Sequence, residues 1–218
     1  GQVASSYALA RERLRALGHQ LVPLRLPSLK YAVPAYYTIA AAEASANLAR
    51  FDTIRYGRRT AFAEDPAELV AKGRSEGFGP EVKLRILLGT FVLRSGFQDQ
   101  YYQRAQRIRT GIRMDFDRAF AQSGAAAILM PVFPRQAFPH GEGGLTPFQQ
   151  KTADIFTCSA NLAGLPALSF PVSIAGGLPT AVQLIGPDDS EGVLLDIAEG
   201  HESAHPIERP AAYKAFWR

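Results

Sequence analysis

Cysteine is nearly absent from this chain. The single one, Cys158, excludes an internal disulfide framework and any metal site built from several thiolates. No apolar run approaches the roughly 18 residues that a membrane-spanning helix requires. The first residues lack the basic-then-apolar pattern of an export signal, so a cytoplasmic protein without a membrane anchor is expected. There are no internal repeats and no low-complexity tracts. Nor is one sign of charge in large excess. The net charge is +4, which permits an acidic partner such as RNA but is more simply a solvated surface.

What is present is a balanced composition, 47% hydrophobic and 20% charged over 218 residues, enough for one or at most two domains with a core of their own. The chain opens at Gly1 directly into helical periodicity, which reads as a piece of a longer protein.

Apolar residues at Val3, Tyr7, Ala10, Leu14 and Leu17 predict a first helix stopped at Gly18. Residues 21–27 read as a short strand near a sheet edge, because Pro23 interrupts it. Pro34 opens a second helix reaching Phe51, whose centre from Ala40 to Asn47 is nearly all small, so another backbone should approach it closely. Asp65 and Pro66 cap and start a short helix. Another helix runs from Pro80 to about Leu93, and the longest from Phe97 to Ala121. The longest carries a stripe of Tyr101, Ala105, Ile108, Ile112, Phe116 and Phe120, opposite Arg104, Arg107, Arg113 and Arg118. A buried strand is expected over 125–130, a loop over 133–146 and a helix from Pro147 towards Leu162. Two further strands, over 167–172 and 181–185, flank a Gly176-Gly177 turn. Asp189 or Ser190 caps a last helix from Glu191 to His201. Four strands among more helices give an α/β fold with a mixed β-sheet flanked by helices.

Several short patterns carry chemistry in principle. His201-Glu202-Ser203-Ala204-His205 matches the H-E-x-x-H zinc signature, but Pro206 ends the helix and no third ligand follows. Two solvated histidines at a helix C-terminus are the plainer reading. Cys158 lies in apolar text with no histidine nearby, so a buried thiol is expected rather than a nucleophile. The Gly141–Gly144 and Gly176–Pro179 stretches read as turns. Arg85 and Asp154 are different: each is a charge flanked by residues that favour burial. Such charges need partners. They either pair with each other or with a neighbour, purely for structure, or form a clamp for a free amino acid, the guanidinium on an α-carboxylate and the aspartate on an α-ammonium.

Longer blocks add a resemblance. They are 26–37 (LPSLKYAVPAYY), 42–52 (AEASANLARFD), 54–57 (IRYG), 75–79 (SEGFG) and 88–90 (LGT). Residues 115–117 (DFD), 154–157 (DIFT), 161–167 (NLAGLPA) and 183–186 (QLIG) follow in the same order. Together they resemble the C-terminal half of amidase-signature enzymes, of the type that serves as the A subunit of glutamyl-tRNA(Gln)/aspartyl-tRNA(Asn) amidotransferase. Leu84, Gln98, Gln100, Arg59 and Phe133-Pro134 depart from that pattern.

The resemblance implies the following. Residues 1–218 are the C-terminal portion of a single amidase domain. The family's Ser–Ser–Lys catalytic group belongs to an N-terminal half whose Gly/Ser-rich signature is absent here, so this chain holds no catalytic residue, no metal ligand and no cofactor. Block matching places a substrate-binding Tyr36, Arg85 and Asp154. The parent would release ammonia from glutamine for the amidotransferase B and C subunits, where ATP and Mg²⁺ drive amidation of mischarged tRNA. Two alternatives stand beside it: a fragment of a general small-amide amidase, and a non-catalytic docking module.

Overall fold

The structure, a computed structural model, describes residues 1–138 and 153–207. They fall into two compact units, Gly1–Val33 with Thr110–Arg218, and Pro34–Arg109.

The first unit is built on a three-stranded antiparallel sheet ordered β1-β3-β2, with β1 Ile128–Pro131, β2 Ala167–Ala175 and β3 Leu178–Ile185. The hairpin between β2 and β3 turns at Gly176 and Gly177, with φ of 59° and 80°. Two successive positive φ values define the turn that matches strand twist, and glycine reaches them without strain. Between the pairs Pro171↔Ala181 and Ser173↔Thr180 the strand bulges, leaving Val172 without a cross-strand partner. Arg13 satisfies the carbonyl there, its Nη1 donating to Val172 O at 2.6 Å. The bulge also turns two successive side chains to one face. Val172 joins the apolar core and Ser173 meets Ser6 at 3.0 Å.

Helix α1 (Gln2–Ala16) packs on that face, and Gly18 at φ 92° follows its end. The core comprises Ala10 of α1, Phe170, Val172, Val182 and Leu184 of the sheet, and Leu194 and Ala198 of the last helix. Ser6, Ser173 and Thr180 close a triangle of hydroxyls, with Thr180 donating to Ser6 and all three within 3.0 Å of one another. The opposite sheet face carries Ile128, Met130, Gln183 and Ile185, all buried. Gln183 Nε2 donates there to Pro131 O at 3.2 Å and Phe156 O at 3.0 Å.

Residues 21–27 are not a strand. They have no ladder partner among the described residues and end in a 3₁₀ turn at Pro27–Tyr31. That turn is tied to helix α5 (Arg104–Ser123) by Ser28 N–H, which donates to Asp115 Oδ2 at 2.7 Å. On α5, Ile112 and Phe116 are fully buried, as the apolar stripe predicts. The expected arginine face is not free, however. Arg113 Nε donates to Asp117 at 2.8 Å, its Nη1 donates to Ala163 O at 3.1 Å, and its fork holds Asp188. The beginning of that long helix also differs: Asp99–Gln103 forms a π turn before α5.

The 141–144 stretch lies wholly outside the described residues, and the helix expected from Pro147 to Leu162 has its first six residues outside them. Its described end is a 3₁₀ turn, Ala153–Ile155, then α6 (Thr157–Ala163). Gly164 at φ 68° stops α6, and Leu165 N–H donates back to Ala160 O at 3.1 Å. Helix α7 (Glu191–Ala204) starts at Ser190, whose hydroxyl donates to Pro187 O rather than capping the helix.

The second unit holds α2 (Ala32–Leu48) from Pro34 onward, α3 (Pro66–Gly77) and α4 (Pro80–Val92). Asp65 caps α3 by accepting from Glu68 N–H at 2.8 Å, with Pro66 at the first helical position. The small residues of α2 admit a close backbone. A Cβ built on Gly89 of α4 would collide with the Ala41 carbonyl oxygen, and Ser45 and Thr90 hydroxyls meet at 3.1 Å beside it. The loop between α2 and α3 is held by Arg74, which donates to Leu48 O and Phe51 O at 2.8 and 3.1 Å.

Candidate substrate-binding site

Tyr36 and Arg85 come together in the second unit. Arg85 stands in the second turn of α4 with its side chain half-buried. Its Nε donates to Glu81 Oε1 at 3.1 Å, one helical turn earlier. Its guanidinium also bonds the Tyr36 hydroxyl and lies over the Tyr37 ring, 6.0 Å from the centroid. The two tyrosine rings meet edge to face at 5.3 Å. Burial disfavours the arginine charge, but the Glu81 hydrogen bond and charge, then the Tyr36 hydroxyl, outweigh it and raise its pKa above the ordinary value. The result is a permanent cation whose fork is oriented by three neighbours.

Asp154 belongs to the first unit, in the 3₁₀ turn before α6. It is partly buried, and its backbone carbonyl accepts from Thr157 Oγ1 at 3.2 Å. Among the described residues no hydrogen bond or ion pair engages its carboxylate. Its charge reaches Cys158. Burial first, and Asp154 second, push that thiol up to about 11. A thiol held neutral at physiological pH is not a poised nucleophile, in keeping with the apolar setting read from sequence.

The H-E-x-x-H histidines are not a solvated pair. His201 is completely buried, and among the described residues neither ring nitrogen has a hydrogen-bond partner. Its ring lies 4.9 Å from Phe170 and 5.4 Å from His205. Burial, then the charges of Arg13 and His205, depress its pKa to about 4. The first histidine of the motif points into the core because it occupies the same face as Leu194 and Ala198, which four- and three-residue steps bring into line. Among the described residues no group of three or more His, Cys, Asp or Glu is arranged to hold a metal ion. No described helix is long and apolar enough to cross a membrane.

Two participants escaped the sequence reading. Glu81 was visible as an acid four residues before Arg85, the spacing of a helical ion pair. Tyr37 follows Tyr36 directly, but nothing in sequence indicates which ring turns towards the cation.

Comparison with known proteins supplies the family. The family model described as Amidase matches residues 2–195. The A subunit of glutamyl-tRNA(Gln) amidotransferase from Alcanivorax borkumensis is 46% identical over 204 residues, covering 94% of this chain and 41% of that protein. Its counterpart from Carboxydothermus hydrogenoformans is 48% identical over 189 residues, covering 87% of this chain and 39% of its own. Among solved structures, the A subunit of glutamyl-tRNA(Gln) amidotransferase from Thermotoga maritima matches with a TM-score of 0.66 and 32% identity, over 96% of this chain and 40% of that one. A bacterial aryl acylamidase of the amidase-signature family shares the fold with a TM-score of 0.72 at 18% identity. The chain thus spans about two-fifths of the length of the relatives it matches. With the family model covering nearly all of its described residues, the chain belongs to the amidase family.

Proposed function

We propose that this chain is the substrate-pocket portion of an amidase of the tRNA-amidotransferase type, which hydrolyses glutamine to supply ammonia. The observation that carries it is the Tyr36–Arg85–Glu81 cluster, a guanidinium fixed in orientation on a helix face. In this reading Arg85 grips the α-carboxylate of glutamine, Asp154 receives the α-ammonium and Tyr36 lies beside the site. Among the described residues nothing engages the Asp154 carboxylate, and Glu81 occupies only Nε of Arg85, so both charges have positions open to a ligand.

The chemistry itself belongs to a part of the family chain not represented here. A serine there attacks the amide carbon, backbone donors stabilise the oxyanion and ammonia leaves. The B and C subunits, with ATP and Mg²⁺, would then amidate mischarged tRNA in the cytoplasm. The chain's own residues bind and orient; they break no bond.

Titration calorimetry of this chain tests the reading. Glutamine should bind measurably. Glutaramic acid, which lacks the α-ammonium, and glutamine amide, which lacks the α-carboxylate, should each bind at least tenfold more weakly. Glutamine hydrolysis by the chain alone should stay at background. Equal affinity for all three compounds would reject the clamp.

A further inference from the structure

Gln183 is the polar member of the sheet face it shares with Ile128, Met130 and Ile185, and it is only 4% exposed. Burying an amide among apolar neighbours costs free energy unless its donors are used. A methionine would fill a similar volume without that cost. The amide is used on two backbone carbonyls. Its Nε2 donates to Pro131 O at 3.2 Å, where β1 ends, and to Phe156 O at 3.0 Å, two residues beyond Asp154. Gln183 stands on β3, the central strand, paired with Met130 on one side and Ser169 on the other. It therefore joins the strand held on both edges to the segment that carries Asp154.

That segment has little of its own to hold it. Asp154 lies in the three-residue 3₁₀ turn Ala153–Ile155, a form with poor internal hydrogen-bond geometry. Thr157 Oγ1 donates to Asp154 O and so links the turn to the first residue of α6. Helix α6 is itself tethered at both ends, by Gln183 at Phe156 O and by Arg113 Nη1 at Ala163 O. Phe156 O does not depend on Gln183 for a partner, because Ser159 Oγ already donates to it at 2.7 Å. What the amide adds is position.

We infer that Gln183 is a positioning residue, which by tying Phe156 to the sheet fixes the direction in which the Asp154 carboxylate meets the α-ammonium of the substrate, and this rests on the role proposed above for Asp154. A neutral amide suits the task. It holds backbone without offering a charge that would compete with the substrate for the carboxylate.

Two readouts on the whole chain test this. The first is the thiol of Cys158, the only cysteine, whose ionisation the Asp154 charge opposes. Asp154→Asn should speed its alkylation by iodoacetamide at pH 9 about threefold, because more thiolate forms. Gln183→Met frees the carboxylate to turn towards water and should speed alkylation by a similar factor. The two changes combined should give no more than Asp154→Asn alone. Equal acceleration by Gln183→Met in both backgrounds would mean that the amide only packs α6, and no acceleration in either would mean that the turn holds without it. Both results overturn the inference. Gln183→Met should fold, since its neighbours are apolar, Phe156 O keeps Ser159 and Pro131 is half-buried. Gln183→Asn keeps an amide but is too short to span both carbonyls, so it should reproduce the acceleration; a rate equal to the parent's would count against the tether.

The second readout is calorimetric. Gln183→Met should cut the preference for glutamine over glutaramic acid by about fivefold or more and leave the affinity for glutaramic acid nearly unchanged, because that ligand has no ammonium for Asp154 to meet. The expected alkylation pattern in a parent chain without that preference counts against the proposed function alone. The preference without the alkylation pattern counts against the positioning role alone.

Discussion

Gly89 of α4 rests on the carbonyl of Ala41 in α2, close enough that no side chain fits between the two backbones. The helix bearing Arg85 is therefore set against the helix bearing Tyr36 by the absence of a single carbon. Gly89→Ala must push α4 away or distort α2, an overpacking cost of about 1–3 kcal/mol, even though alanine favours the helix by up to about 1 kcal/mol. The variant should melt at lower temperature and bind glutamine more weakly. A melting temperature equal to or above the parent's would show that the helices yield freely.

Arg85 and Glu81 should behave unequally. In the full-length enzyme, Arg85→Ala should raise KM for glutamine by roughly 10- to 100-fold, the loss of about 1.4–2.7 kcal/mol from a charge-assisted, bidentate contact. Arg85→Lys should recover little, because an ammonium cannot reproduce the fork. Glu81→Gln should change KM less than tenfold, since it keeps a hydrogen-bonding oxygen and removes only a half-exposed ion pair. Steady-state kinetics on the three variants separates substrate binding from simple helix stabilisation.

His201 makes stability depend on acidity. Its pKa is depressed from the ordinary 6.5 to about 4, so the unfolded chain binds a proton that the folded chain refuses. Nothing is lost above pH 6.5. Between 6.5 and 4 stability falls as pH falls, by at most about 1.4 kcal/mol per unit from this group. Phe170, Arg13 and His205 lie beside the ring, and the charges of Arg13 and His205 add to burial in disfavouring a second proton on it. Urea melts at pH 7, 5.5 and 4.5 should show a shallower decline for His201→Phe than for the parent. Parallel declines would assign the acid sensitivity to carboxylates elsewhere.

Cys158 should resist modification. With its pKa pushed up to about 11, its thiolate fraction at pH 7.5 is roughly a hundredfold below that of an ordinary cysteine, and burial slows access further. A disulfide reagent should label it at least a hundredfold more slowly in the folded protein than in guanidinium. Labelling at the rate of free cysteine would show that α6 opens readily.

Much of this architecture was legible from residue patterns, and the misses share a cause. The hairpin at Gly176-Gly177, the Asp65 cap and the small-residue face of α2 are local or nearly local signals, and they appear as read. Residues 21–27 carry strand propensity, but a strand exists only where a partner lies alongside, and propensity cannot supply one. His201 looked solvated because histidine often ends helices. Its burial follows from the helical face it shares with Leu194 and Ala198, a tertiary fact. Likewise Arg113 belonged to a polar stripe by periodicity, while its partner Asp188 lies 75 residues away. Of the candidate site residues, Tyr36 and Arg85 meet between two helices whose adjacency no spacing within either one encodes.

The hairpin has a kinetic consequence. Strands β2 and β3 are joined by a two-residue turn, so their ladder can zip on the microsecond scale. Arg13, by contrast, reaches its carbonyl at Val172 across 159 residues of sequence. The last helix, a few residues beyond β3, can cover part of the ribbon's apolar face at once, but the part beneath α1 must wait until that distant segment arrives. On a ribosome that wait is short, because α1 emerges first and is already present when the ribbon forms.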